Sequence, residues 1–327
     1  MPPTGPLVLL AISLAAARAG GLRTRQVPLA KRQSISSIFA ETSTDKAWRH
    51  GYHRYYESKL APYRDIDGLR ILEIGADSGK SLKAWSEYFS RPAAIQGVAY
   101  KVSPEAAKQK ACEGIKRCDI VKIYYMDQSD EVALKALSKH EPQGWDVIID
   151  DGSHVPAHQI ISFQALFPML RPGGLYVVED IETSYVSYGQ TYQYHLHGGI
   201  GQLAPENAVE KFKQLVDIVN RRHFSHPELT AFNGADADVS EVTFGDGVIF
   251  VHKKPGNPEW DKYPQKLAYQ RWQTDRDVPV WLAKVNRTGA HGKTGLAMDW
   301  AQALEEAGHI TAVGLRTSGL LQKLLKA

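Results

Sequence analysis

Cysteine is nearly missing: Cys112 and Cys118 are the only two in 327 residues. This excludes a disulfide framework and a multi-cysteine zinc site. The pair either closes one short bridge in an oxidising compartment or stands as two unpaired thiols, the simpler reading. Long apolar runs are missing too. No segment of the chain approaches the roughly 18 apolar residues of a membrane-crossing helix, so no membrane span is expected. There is no G-x-G-x-x-G fingerprint, which speaks against a nicotinamide dehydrogenase, and there are no obvious internal repeats. Net charge is small, +3 with the 12 histidines neutral. Even that is local, because residues 1–40 hold Arg18, Arg23, Arg25, Lys31 and Arg32 and no acid. The remainder has 34 bases against 36 acids. Nothing in that balance suggests a nucleic-acid partner, which needs basic surface clustered on the folded domain.

What is present begins with a leader. Leu7–Ala17 is a short apolar run, and Ala17-Arg18-Ala19 has small residues where a signal peptidase cuts. The basic, acid-free stretch Gly20–Ala40 has the look of an organelle transit segment. Residues 1–40 are therefore expected to be targeting sequence, directing the chain to the secretory pathway or a plastid. Folded sequence is expected from Glu41. Residues 255–327 form a C-terminal extension, with helix expected after Asp299. Its sequon Asn286-Arg287-Thr288 matters only in a glycosylating compartment.

Between these ends, strand-like and helix-like segments alternate. Strands are expected at LRILEIG (69–75), AIQGVAY (94–100), DIVKIYYM (119–126), WDVIID (145–150) and GLYVVED (174–180). Helices are expected over Lys80–Ser90, Pro104–Cys112 and Ala157–Leu170, the last stopped by Arg171-Pro172-Gly173-Gly174. Residues 45–64 and 206–223 also read as helical. TFGDGVIFVHKK (243–254) reads as a hairpin turning at Gly245-Asp246-Gly247. The pattern predicts a doubly wound, mostly parallel α/β sheet of seven strands over residues 41–254, ending in a β-hairpin.

Three motifs carry chemistry. Glu73-Ile74-Gly75-Ala76-Asp77-Ser78-Gly79 joins the first strand to its helix, where ligands sit in doubly wound sheets. Its glycines let the backbone approach a ligand, or serve only the turn. Asp77 would repel a phosphate and suits a sulfonium cofactor with an amino-acid ammonium. Asp127-Gln128-Ser129-Asp130 follows the third strand. An acid or amide there can bind an adenine amino group, or it can cap the next helix. Asp150-Asp151-Gly152-Ser153-His154 and Glu179-Asp180 end the fourth and fifth strands. Parallel neighbours bring these acids together, and such crowding is costly without a cation or shared protons. Oxygen ligands favour a hard cation such as Mg²⁺. His154, three residues past Asp151, can then take a proton from a hydroxyl. His158, His195 and His197 are isolated and read as structural or surface residues. The aromatic, hydroxyl-rich stretch Thr183–Tyr194 can line a pocket or form an ordinary loop.

At these residues the sequence resembles the metal-dependent sugar O-methyltransferases of macrolide biosynthesis, the macrocin and mycinamicin type. The resemblance runs from about Asp45 to Lys254. It is strongest in WDVIIDDGSHVPAHQIISFQALFPMLRPGGLYVVEDIETSY, with support from DKAWRHGYHRYYESKLAPYR, LRILEIGADSGKSL and DQSD. It implies a class I fold, S-adenosylmethionine and Mg²⁺ as cofactors, and methyl transfer to a hydroxyl of a small molecule, a sugar. It implies metal ligation by Asp151, Glu179 and Asp180, with His154 as general base. Glu73, Gly75, Gly79, Ser81, Asp127, Gln128 and Asp150 match the cofactor-binding blocks. Oligomeric state stays open, a homo-oligomer included. In one departure, Gly97-Val98-Ala99 lacks the acid that grips the ribose in that family. Ala99 thus keeps a non-catalytic binding protein as an alternative, beside a related enzyme of the cephalosporin-hydroxylase type.

Overall fold

The computed structural model describes residues 32–113, 117–186, 190–191, 194–195, 199, 207–221 and 229–256. Residues 1–31 of the expected leader, His197, the sequon at Asn286 and residues 257–327 of the expected extension lie outside the described residues.

Ile-, Val- and Leu-rich runs form five parallel strands: β1 (Leu69–Ile74), β2 (Pro92–Ala99), β3 (Val121–Tyr125), β4 (Trp145–Asp150) and β5 (Leu170–Glu179). β6 (Val239–Gly245) and β7 (Val248–Lys253) form the expected hairpin. Its two-residue turn is Asp246-Gly247, with Gly247 in left-handed backbone at φ 73°, a conformation that glycine adopts without steric cost. The sheet order is β3-β2-β1-β4-β5-β7-β6, with β7 antiparallel to β5.

Side chains alternate across the pleat, so each strand feeds two cores. Leu72, Ile74, Ile148, Tyr176 and Val178 pack on Phe163 and Leu166 of α7 (Pro156–Leu166) and on Phe212 of α8 (Ala208–Lys213). Ile71, Val147, Ile149 and Val177 face the opposite layer. There they meet Leu82 and Trp85 of α4 (Lys80–Tyr88), Ile38 and Phe39 of α1 (Ile35–Thr42), and Tyr56 of α3 (His53–Leu60). The two faces matter for function. They send Glu73 and Glu179 toward α1–α4, and Asp150 toward α7.

Several boundaries differ from the sequence reading. Helix α1 lies partly inside the expected leader. Its N-cap Ser34 accepts from Ser37 N, and Ile35, Ile38, Phe39 and Thr42 are buried. That i, i+3, i+4 apolar stripe is masked by the Ser-rich, acid-free composition around it. The helix expected over 45–64 breaks into α2 (Asp45–Trp48), α3 and a 3₁₀ turn, with Gly51 at φ 69° between α2 and α3. β5 starts at Leu170, ahead of the Pro172-Gly173-Gly174 breaker. The helix expected over 206–223 is replaced, within the described residues 207–221, by α8 and α9 (Leu215–Asn220). Cys112 and Cys118 are joined in a disulfide, not left as thiols, and the bridge spans the connection between α5 (Pro104–Cys112) and β3. Among the described residues no helix is long and apolar enough to cross a membrane.

Candidate functional site

The carboxyl ends of β1, β4 and β5 meet in register, with Ile74 beside Asp150 and Asp150 beside Val178. This places Asp151 against Glu179. Just past the strand ends, Asp180 and His154 both adopt left-handed backbone, at φ 53° and 57°. Non-glycine residues hold that conformation at some cost and cluster at functional sites. The turns aim both side chains at one point. His154 Nε2 lies 3.3 Å from Asp180 Oδ2, and ligand atoms of Asp151, His154 and Asp180 all fall within 4.8 Å of one another.

Behind this cluster is a residue that sequence reasoning missed. Lys46 of α2 is 1% exposed, and its Nζ lies 2.6 Å from Asp151 Oδ2, 2.7 Å from Glu179 Oε2 and 3.2 Å from Glu73 Oε1. Burial by itself would lower its pKa, but the charges of Asp151, Glu179 and Glu73 outweigh that and raise it well above the ordinary lysine value. Burial pushes Glu179 and Glu73 up, against the opposing pull of Lys46. Two tyrosines complete the support. Tyr56 donates to Glu179 Oε1, and Tyr52 donates to Asp180 Oδ1 at 2.6 Å. His50 Nδ1 approaches the same oxygen at 3.1 Å. The only signal of these partners was the helical, aromatic look of DKAWRHGYHRYY. A lysine 105 residues from Asp151 cannot be paired with it by spacing.

The predicted cofactor residues divide into two groups. Gly75, Ser81, Asp127 and Gln128 line a cavity of about 590 Å³, together with Asp151, His154, Glu179 and Asp180. Glu73, Gly79 and Asp150 do not. Glu73 is fully buried and accepts from Ser81 Oγ at 2.6 Å and Trp85 Nε1 at 3.0 Å, so it ties α4 to Lys46. Gly79 opens α4 at φ 74°, where a Cβ would lie 2.4 Å from Ala107 O. Gly75, at φ 96°, leaves room for Asp151 O, which a Cβ would approach to 1.9 Å. Both glycines thus serve contacts between chain segments, although Gly75 also borders the cavity. The Gln128 amide is spent on the protein, donating to Asp150 Oδ1 and Ser162 Oγ and accepting from Ser153 N. Asp127 Oδ1 accepts from Ser129 N and Oγ. The cap of α6 (Glu131–His140) is instead Asp130. His158 is half-buried and lines the cavity, with Nδ1 2.8 Å from Ser153 Oγ. His195 lies in a two-residue strand, Tyr194–His195.

Asp150 supplies a pH test. It is 1% exposed, and its Oδ2 has no hydrogen-bond partner among the described residues. Burial pushes its carboxyl from 3.8 up to about 7, against hydrogen bonds from Gly152, Gln128 and Ser162. A raised carboxyl stabilises the fold while protonated. That contribution is complete below the unfolded value and is lost as pH rises through the folded one. Asp150→Asn keeps an acceptor and never ionises. Its urea-unfolding free energy is expected to exceed wild type by about 2–4 kcal/mol at pH 8, with the gap closing by pH 4. An equal gap at both pH values contradicts this.

The fold and the acid-lined cavity at its strand ends define a class I methyltransferase domain. No family profile matches the chain. Among curated proteins it is 32% identical over 257 residues to the 8-demethyl-8-alpha-L-rhamnosyl tetracenomycin-C 2'-O-methyltransferase of Streptomyces olivaceus, covering 76% of this chain and 60% of that one. It is 27% identical to the mycinamicin VI 2''-O-methyltransferase of Micromonospora griseorubida, covering 70% and 56%. The chain thus spans at most 60% of the length of these relatives. The fold is similar to that of the MycE methyltransferase of the mycinamycin pathway. In complex with Mg, SAH and mycinamycin VI it aligns with a TM-score of 0.56 and 25% identity, over 70% of this chain and 56% of that one. In complex with Mg and SAH the TM-score is 0.58, at the same identity and coverage. The chain belongs to the macrocin- and mycinamicin-type sugar O-methyltransferase family.

Proposed function

We propose that this chain is an S-adenosylmethionine-dependent, Mg²⁺-assisted O-methyltransferase acting on a hydroxyl of a sugar or sugar-bearing small molecule. The observation that carries the reading is the convergence of Asp151, His154 and Asp180 on one wall of a cavity whose other wall is the β1–α4 loop and the β3 end. The relatives' names and the Mg and SAH in the MycE complexes support it.

The residues fit a divalent cation. Glu73, Asp151, Glu179 and Asp180 are four carboxylates, and Lys46 is one ammonium among them. Fully ionised, they leave three negative charges in a largely buried space, which a cation relieves. Asp151 and Asp180 would hold it, with Glu179 adjoining through lone pairs that Lys46 and Tyr56 leave open. When bound, the metal supplies Lewis acidity that makes a substrate hydroxyl easier to deprotonate. His154, beside Asp180, takes that proton. Ser81 and the Gly75 turn border the space for the methyl donor, and the walls bring the two reactants into line.

The test is product mass. Incubation with S-adenosylmethionine and candidate sugar acceptors is expected to add one CH₂ unit, to stop with EDTA and to resume with Mg²⁺. Addition of an oxygen indicates hydroxylation instead, and turnover indifferent to chelation removes the metal role.

Ala99 favours a second reading, a binding protein without turnover. It ends β2 and lines the cavity with no group to accept ribose hydrogen bonds. A charge-assisted bond there is worth about 1.5–3 kcal/mol. Ala99→Asp is therefore expected to tighten S-adenosylmethionine binding by about tenfold or more in calorimetry. Unchanged affinity means another residue already grips the ribose.

A further inference from the structure

Trp48 is out of place by the standards of the core. Its indole is 75% exposed, whereas Trp85 and Trp145 are fully buried. Burying such a side chain is ordinarily worth roughly 1.5–3 kcal/mol, so the fold gains nothing by presenting it. The short helix α2 explains how it is held there. Successive helical residues turn by about 100°, so a residue two positions on from Lys46 faces the opposite way. Lys46 is drawn inward by Asp151, Glu179 and Glu73. The same anchoring sends Trp48 outward, to the rim of the cavity that it lines. The pin that orders the acid cluster therefore also presents the indole.

The neighbours of Trp48 on this wall are of a different kind. Asp45, Arg49 and His50 line the cavity beside it. His50 stacks on Tyr52 at 5.1 Å and reaches Asp180 Oδ1 at 3.1 Å. A flat apolar face set among a carboxylate, a guanidinium and an imidazole suits a ring with one C–H face and hydroxyls at its edge. Such sites bind through apolar contact and a few placed polar groups.

We propose that Trp48 is the stacking platform for the pyranose ring of the acceptor, with Asp45, Arg49 and His50 holding the hydroxyls that are not methylated. This rests on the methyltransferase reading, because it takes the ring to be that of the methyl acceptor.

The test uses the full chain labelled with 5-fluorotryptophan and loaded with S-adenosylhomocysteine and Mg²⁺. Loss of one resonance in Trp48→Phe identifies the Trp48 signal. Titration with a panel of simple methyl pyranosides is expected to shift that signal. Trp48→Ala is expected to lose about tenfold in sugar affinity, while Trp48→Phe keeps most of it. Calorimetric S-adenosylhomocysteine affinity stays the same in both variants. If no pyranoside moves the Trp48 signal while S-adenosylhomocysteine binds, or if Trp48→Ala binds sugar as well as wild type does, the platform is overturned. If the signal shifts but S-adenosylhomocysteine does not bind, the platform stands and the methyltransferase reading falls.

Discussion

Replacing His154 with alanine is expected to lower the single-turnover methyl-transfer rate by about 10³-fold, within the range that general-base catalysis supplies. Affinity for S-adenosylhomocysteine should stay unchanged. His154 is held at φ 57° with Nε2 3.3 Å from Asp180 Oδ2, on the wall where the acids converge. The other imidazoles are poorly placed to substitute. His158 is engaged with Ser153 Oγ, and burial lowers its pKa. His50 reaches Asp180 at Oδ1 rather than Oδ2. A variant that keeps its rate would assign the proton to another acceptor, with His50 the first to examine.

Replacing Lys46 with methionine is expected to cost about 3–5 kcal/mol of stability, the usual consequence of removing one partner from a buried charge cluster. Glu73 and Glu179 are 0% and 1% exposed. Without the ammonium they must take up protons or draw in water. Tyr56 and Ser81 still donate to them, but neutral donors do not cancel charge. Adding Glu179→Gln to the Lys46→Met chain should recover part of the loss, because one of the stranded charges is gone. Urea unfolding of the two variants and wild type measures both steps. A Lys46→Met chain within about 1 kcal/mol of wild type would mean that the acids are already largely protonated.

The pattern of strands and helices showed the sheet well, because β1, β4 and β5 are short apolar runs closed by acids and turns. The hairpin at Asp246-Gly247 was equally plain, since its turn residues have few other uses. The acid blocks at 150–154 and 179–180 were legible for the same reason: parallel strands bring their ends together whatever their spacing in sequence. What the sequence hid is long-range. Lys46, Tyr52 and Tyr56 support acids more than a hundred residues away, and nothing local marks them. Gly75, Gly79 and Gln128 looked like ligand contacts because glycine and amide serve ligands and neighbouring chain alike. In the fold the glycines make room for other backbone and the amide clamps Asp150, while Gly75 and Gln128 also line the cavity. Helix α1 was missed because its three apolar anchors sit in a segment whose composition resembles a leader.

The most direct measurement is a crystal structure grown with S-adenosylhomocysteine and Mn²⁺, the metal located by its anomalous signal. Mn²⁺ is expected between Asp151 and Asp180, and the cofactor along the Gly75–Ser81 loop, with its adenine toward the β3 end and its sulfur facing His154. Mn²⁺ bound away from these acids, or S-adenosylhomocysteine outside this cavity, would contradict this.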